Sequence, residues 1–155
     1  MITYVAGSLF NSPAQVLVNA VNTHGVMGKG IAAEFKRRYP EMFADYHQQC
    51  KLGMLQIGML WVYKSPGKSI LNFPTKKHWR DPSKPEYIEA GLERFSTEYA
   101  QLGIRSIAFP ALGCGNGGLD WERVIKPMME DYLNKLPIDA FIYLPAVSSD
   151  NRLAN

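Results

Sequence analysis

The chain has 155 residues, 46% of them hydrophobic and 20% charged, with a formal net charge of +3. That length makes one domain able to bury roughly two thirds of its unfolded surface. No apolar run approaches the roughly 18 residues of a membrane span, and the charge falls short of the basic stripe of a dedicated nucleic-acid binder. Cys50 and Cys114 are the two cysteines, and the chain opens without a charged n-region or an apolar h-region. A reduced, cytoplasmic setting without membrane attachment is therefore expected.

In chain order, strands alternate with helices. Ile2 to Val5 reads as a short opening strand, and Gln15 to Val21 as a second, ending at a glycine loop that runs from Asn19 to Gly30. Ile31, Phe35 and Tyr39 then recur at spacings of four, an amphipathic helix stopped by Pro40, and a second short helix covers Glu41 to Cys50 and closes at Gly53. Ile57 to Lys64 and Ser69 to Phe73 flank Ser65-Pro66-Gly67 and predict a β-hairpin. Ser83 and Glu86 form a capping-box pattern with Pro85 in the first turn, and Ile88, Leu92, Phe95, Tyr99 and Leu102 predict the buried stripe of a helix ended by Gly103. Ile104 to Phe109 is the strand feeding a second glycine loop. Beyond it a helical pattern runs through Val124, Met128, Tyr132 and Leu133, with Pro127 predicting an irregular first turn and a regular helix from about Lys126. Ile138 to Leu144 reads as the last strand. The polar tail at 148–155 leaves 1–147 as the domain. Alternation of this kind predicts an α/β layered domain with its ligand loops after the strands.

Those loops carry the chemistry. Four of the six residues from Gly113 to Gly118 are glycine, so the backbone can turn several N–H groups toward one anion without obstruction by Cβ atoms. Gly113-Cys114-Gly115-Asn116-Gly117-Gly118 formally matches G-x-G-x-x-G, but too little chain follows for a dinucleotide-binding half. Gly25-Val26-Met27-Gly28-Lys29-Gly30 lacks the spacing and the Ser/Thr of a Walker loop. Two glycine cradles suited to a diphosphate remain.

The segments Ile2 to Phe10, Val18 to Asn22, Gly25 to Ala32 and Pro110 to Trp121 resemble the macrodomain family of ADP-ribose-binding modules, and the resemblance covers nearly the whole chain. Asn72 to Arg80 is similar to the corresponding stretch of the DarG branch, antitoxins that remove ADP-ribose from DNA bases, and of a human relative that releases ADP-ribose from glutamate. The resemblance implies a three-layer α/β/α macrodomain with a mixed central sheet of about six strands. It implies ADP-ribose as ligand and no cofactor. Asn22 would contact the distal ribose, and Gly28, Lys29, Gly30 and Ile31 would line the first phosphate and ribose loop. Thr75 would lie beside them, and Leu112, Gly113, Cys114, Gly115, Asn116, Gly117 and Gly118 would hold the diphosphate. Asn19 competes with a structural role, tying its own loop. Ser8 stands where many macrodomains carry an Asp that accepts from the adenine amino group, and Leu9 keeps an aliphatic next to it.

Within that resemblance Lys76 is the expected catalytic residue. No carboxylate pair of the ordinary glycosidase kind appears in the loops, and a neutral lysine can attack an anomeric carbon, its pKa depressed by Lys77 and Lys29. The human relative has an acidic residue where this chain has Gly117, so the proton donor is left to water or substrate phosphate. Asp120 is expected to cap the following helix, His24 to be a loop contact or proton shuttle, and Cys114 to pack under the diphosphate. His24, His47 and His78 lack metal-ligand spacing, so no metal is expected. Lys77, Trp79 and Arg80 interleave cations with an aromatic and are expected to bind DNA, Trp79 by stacking on a flanking nucleotide. Lys36, Arg37 and Arg38 add a basic patch of undetermined facing.

The implied function is an ADP-ribosyl glycohydrolase acting on ADP-ribosylated single-stranded DNA, at thymidine first, as a monomeric antitoxin of a DarT-type toxin that a longer chain would bind. The alternatives are a non-catalytic ADP-ribose reader, and a hydrolase of ADP-ribosylated carboxylates or O-acetyl-ADP-ribose.

Overall fold

Parity along the second strand decides what covers each face of the sheet. In the computed structural model, which describes residues 1–144, Val16 and Val18 point into one apolar cluster while Leu17 and Val21 point into another. That is the alternation a strand buried on both faces must show. The strands are β1 (Ile2–Ala6), β2 (Val16–Asn22), β3 (Trp61–Lys64), β4 (Ser69–Lys76), β5 (Ser106–Pro110) and β6 (Asp139–Leu144). The helices are α1 (Gly30–Arg38), α2 (Pro40–Lys51), α3 (Pro85–Glu98) and α4 (Lys126–Leu133). The sheet order is β1-β6-β5-β2-β4-β3, parallel throughout except for the β3–β4 pair.

One cluster joins Val16, Val18, Leu71, Phe73, Phe109 and Ile142 to Ile88, Leu92 and Phe95 of α3 and Met129 and Leu133 of α4. The other joins Leu17, Val21, Ile70 and Ala108 to Phe35 of α1 and to Met42 and Tyr46 of α2. Two helices therefore cover each face, giving a three-layer α/β/α arrangement with a mixed six-stranded sheet, as the resemblance implies. Each fully buried Leu, Ile or Phe contributes about 1.5–3 kcal/mol. Packing is close enough to dictate small residues: a Cβ at Gly91 of α3 would meet the Phe73 ring at 2.2 Å. The β3–β4 hairpin forms around Ser65-Pro66-Gly67, although its first strand starts at Trp61 rather than Ile57.

Three local expectations are corrected. Ser83 does not cap α3: the N-cap is Lys84, which makes no side-chain bond, and Pro85 takes N1, where the missing N–H is no loss. Ser83 is instead drawn beneath the second glycine loop, its N–H donating to Gly117 O at 3.0 Å. Leu102 is exposed and Tyr99 half-buried, because α3 ends at Glu98 and its buried stripe stops at Phe95. Ahead of α4, Trp121–Ile125 forms a π-type turn with Ile125 N–H bonded to Asp120 O at 3.1 Å, the irregular first turn Pro127 predicts. The extra residue rotates the helix, so Trp121, Ile125, Met129 and Leu133 are buried while Val124, Met128 and Tyr132 are only partly so. Asp120 caps this turn, accepting from Arg123 N–H at 2.9 Å. The tail expected at 148–155, and residues 145–147, lie outside the described residues.

Candidate active site

The C-terminal ends of β1, β2, β4, β5 and β6 open into one cavity of about 600 Å³, within the range of small-ligand sites. Its floor is set by asparagines. Asn19 is fully buried and donates from Nδ2 to Asn72 Oδ1 at 3.1 Å, tying β2 to β4 at their paired positions. Its Nδ2 also reaches Met27 Sδ at 3.7 Å, a tie to its own loop. Asn22 ties that loop more extensively, at a register shift in β2: Oδ1 accepts from the N–H groups of His24, Gly25 and Val26 at 3.0–3.2 Å and from the Tyr46 hydroxyl, while Nδ2 donates to Val26 O at 2.8 Å. One Nδ2 hydrogen remains for a ligand. Asn22 lines the cavity, as do Ser8, Leu9, Gly28, Lys29, Gly30, Ile31, Thr75, Gly113, Gly115, Asn116 and Gly117.

Two sets of N–H donors border that space. Lys29, the N-cap of α1, gives no side-chain cap, so the first turn of this nine-residue helix keeps unpaired amides beside Lys29, Gly30, Ile31 and Ala32. In the second loop, Cys114 N–H bonds back to Ala111 O and Leu119 N–H to Gly113 O. Among the described residues, the amides of Gly115, Asn116 and Gly117 bond to no protein acceptor. A Cβ at Gly117 would lie 2.4 Å from both Gly113 O and Ser83 Oγ, so no side chain, and hence no acid, fits there without moving the loop.

Three residues expected to hold ligand do not line the cavity. Leu112 and Cys114 turn into the α3–α4 core, and Gly118, at φ +79°, only turns the chain out of the loop. Cys114 is 1% exposed, its thiol donates to Leu112 O, and burial followed by the Asp120 charge pushes its pKa up to about 12. It packs rather than attacks. Ser8 lines the cavity, but its Oγ already accepts from Phe10 N–H at 3.3 Å, capping the 3-10 turn Leu9–Asn11.

At the other end Lys76 finishes β4 with its Nζ donating to Trp79 O at 3.2 Å. Burial first, and the charge of Lys29 second, hold this ammonium below the ordinary lysine pKa, against an opposing pull from Asp81. Lys77 is not the responsible cation. β4 ends at Lys76, and Lys77, in the bend that follows, has its Nζ 5.7 Å from the Tyr87 ring, outside the cavity wall. Trp79 lines the cavity and is 39% exposed, with the Arg80 guanidinium 4.6 Å from its ring centroid. Of the basic patch, Arg37 and Arg38 pair with Glu34, Lys36 lies over Phe43, and Arg38 also lies over Phe10.

Among the described residues no Asp or Glu lines the cavity, and a half-buried amine stands at one end of a wall of backbone donors. The family model described as Macro domain matches residues 18–128. The chain belongs to the macrodomain family.

Among relatives of this macrodomain, a DNA ADP-ribosyl glycohydrolase of Mycobacterium tuberculosis is 50% identical over 153 residues, covering 96% of this chain and 44% of the relative. The macrodomain thus spans less than half the length of that relative. The solved macrodomain of Mycobacterium tuberculosis DarG superposes with a TM-score of 0.90 at 51% identity, covering 94% of this chain and 99% of that one. Thermosipho africanus DarTG in complex with ADP-ribose gives a TM-score of 0.90 at 40% identity, covering 95% of this chain and 42% of that one.

Sequence reasoning passed over Phe10, Val26 and Tyr143, which also line the macrodomain's cavity. Tyr143 sits near the end of the last strand, where the rule that ligands meet the carboxyl ends of strands would have flagged it. Phe10 packs on Phe35 at 4.6 Å and carries no local signal in the sequence.

Proposed function

We propose that this macrodomain is a DNA ADP-ribosyl glycohydrolase, the antitoxin partner of a DarT-type toxin, and that it releases ADP-ribose from modified thymidine in single-stranded DNA. The carrying observation is Lys76: a half-buried amine on the wall of a cavity that has no carboxylate among the described residues, its charge disfavoured by burial and by Lys29. The relatives' names support DNA as the substrate. A cytoplasmic, monomeric protein is part of the same reading.

ADP-ribose would lie with its diphosphate across the α1 N-terminus and the Gly113–Gly117 loop, and with its distal ribose between Asn22 and Lys76. The neutral Lys76 amine attacks the anomeric carbon, the bond from that carbon to the base nitrogen breaks, and the base leaves with the electron pair and takes a proton from water. The Lys76 nitrogen gives one proton to the hydroxide left by that water, and its freed lone pair then expels the ring oxygen, which takes the remaining N–H proton through water as the sugar opens, giving an imine between Lys76 and the sugar. Water adds to the imine, the amine departs, and ADP-ribose is freed. Asn22 holds the loop that orients the sugar, and Thr75, whose Oγ1 donates to Val21 O at 3.4 Å, keeps the end of β4 against β2.

The test is to incubate the protein and its Lys76→Ala variant with an ADP-ribosylated oligonucleotide and with ADP-ribosylated protein. Oligonucleotide release that the variant loses is the expected result. Release from protein alone would favour the carboxylate hydrolase, and tight ADP-ribose binding without release in either would leave a reader.

A further inference from the structure

The chemistry above leaves one side-chain cluster unused. The imidazoles of His24 and His78 lie 4.4 Å apart between centroids, tilted by 47°, and His78 stacks on the Trp79 indole at 5.4 Å and 28°. With the Arg80 guanidinium against that indole, four planar groups from two loops form one run. Trp79 lines the cavity, so the run passes its mouth, and its end members His24 and Arg80 are exposed.

The run is held in place. Thr23 N–H donates to Lys76 O at 3.1 Å and Thr23 Oγ1 to Lys77 O at 3.2 Å, which fixes the loop bearing His24 against the one bearing His78. Arg80 N–H donates to His78 Nδ1 at 3.1 Å, which sets that ring's orientation. A metal site is not what gathers the two imidazoles: among the described residues no group of three His, Cys, Asp or Glu forms. Lys77 and Lys84 each lie 5.7 Å from the neighbouring Tyr87 ring and add positive charge, with Asp81 the carboxylate on the same turn. Planar faces interleaved with cations suit a single-stranded nucleic acid, whose unpaired bases stack while its phosphates track the charge.

We infer that the His24–His78–Trp79–Arg80 run is a stacking track for the nucleotides that flank the ADP-ribosylated one in single-stranded DNA, with His24 and His78 as contact residues. Trp79 is then an inner member of the track, packed by its own neighbours, rather than the lone stacking residue its sequence position predicts. The inference rests on the DNA reading above and assigns to the first glycine loop, through His24, a role on the substrate side of the site.

The test separates binding from turnover. Fluorescence anisotropy with an unmodified labelled oligothymidine should show about tenfold weaker binding for the His24→Ala, His78→Ala double variant, since one lost base stack is worth about that much. The ratio of KM for an ADP-ribosylated oligonucleotide to KM for ADP-ribosylated thymidine should rise by a similar factor, and His24→Tyr, which keeps a π face, should restore binding. Wild-type oligonucleotide affinity in the double variant, an equal KM rise on both substrates, or failure of His24→Tyr to rescue would overturn the track. Variant-sensitive oligonucleotide binding with no ADP-ribose release by the wild type would keep the track and reject the hydrolase.

Discussion

Replacing Asn22 by alanine isolates the side chain that shapes the first glycine loop. Tyr46 keeps a partner in the variant, because its hydroxyl also donates to the Asn22 carbonyl at 2.7 Å. The groups left without partners are the N–H donors of His24, Gly25 and Val26, while Val26 O keeps only the longer contact from the Tyr46 hydroxyl at 3.4 Å. Gly25 is buried, so its amide carries the full penalty of about 1–3 kcal/mol, and the more accessible groups recover part of their loss from water at about 0.5 kcal/mol each. The sum is about 3 kcal/mol, or roughly a 10 °C fall in Tm for a chain of this size. Asn22→Asp keeps an acceptor for all three amides while turning the donor toward Val26 O into an acceptor, so it should recover about 2 kcal/mol. Both variants lose the remaining Nδ2 hydrogen, and both should bind ADP-ribose at least tenfold more weakly. Denaturant unfolding and calorimetric titration with ADP-ribose read the two quantities separately. A stable Asn22→Ala protein that simply fails to bind would refute the loop role, as would Asn22→Asp unfolding as readily as the alanine variant.

Gly117→Ala forces a Cβ against Gly113 O and Ser83 Oγ, so about 1–3 kcal/mol of stability should be lost along with ADP-ribose affinity, measured as Tm with and without ligand. Lys29→Met removes a like charge from beside Lys76 and raises the pKa of its amine. Because only the neutral amine attacks, the acid limb of the kcat profile should move to higher pH and turnover at neutral pH should fall; an unmoved limb would separate the two lysines. Cys114→Ala should retain oligonucleotide turnover and lose about 1 kcal/mol of stability, and the native thiol should resist alkylation until the protein unfolds.

Element order, the layered α/β class and an irregular turn before α4 were legible in the sequence, because apolar spacing and Pro127 act within a few residues of where they are read, whereas the three layers came only with the family resemblance. The two glycine loops were legible for the same reason. Less visible was the division of labour between Asn19 and Asn22, which lie three residues apart on one strand. The register shift between Val21 and Asn22 turns the second into its loop, while Asn19 finds Asn72, 53 residues away. The capping box failed because Ser83 is drawn beneath the glycine loop, beside Gly113 and Gly117, a contact that no local pattern encodes. Of the two cations named from the sequence for lowering the Lys76 pKa, Lys77 sits past the end of β4 beside Tyr87, and only Lys29, 47 residues upstream, acts on Lys76. The His24–His78 contact is likewise tertiary.

The most direct measurement is borohydride trapping during turnover of an ADP-ribosylated oligonucleotide, followed by peptide mass spectrometry. An ADP-ribose adduct reduced onto Lys76, absent without substrate and absent from Lys76→Ala, is the predicted result. Full turnover by Lys76→Ala, or an adduct mapped to any other residue, would contradict the account.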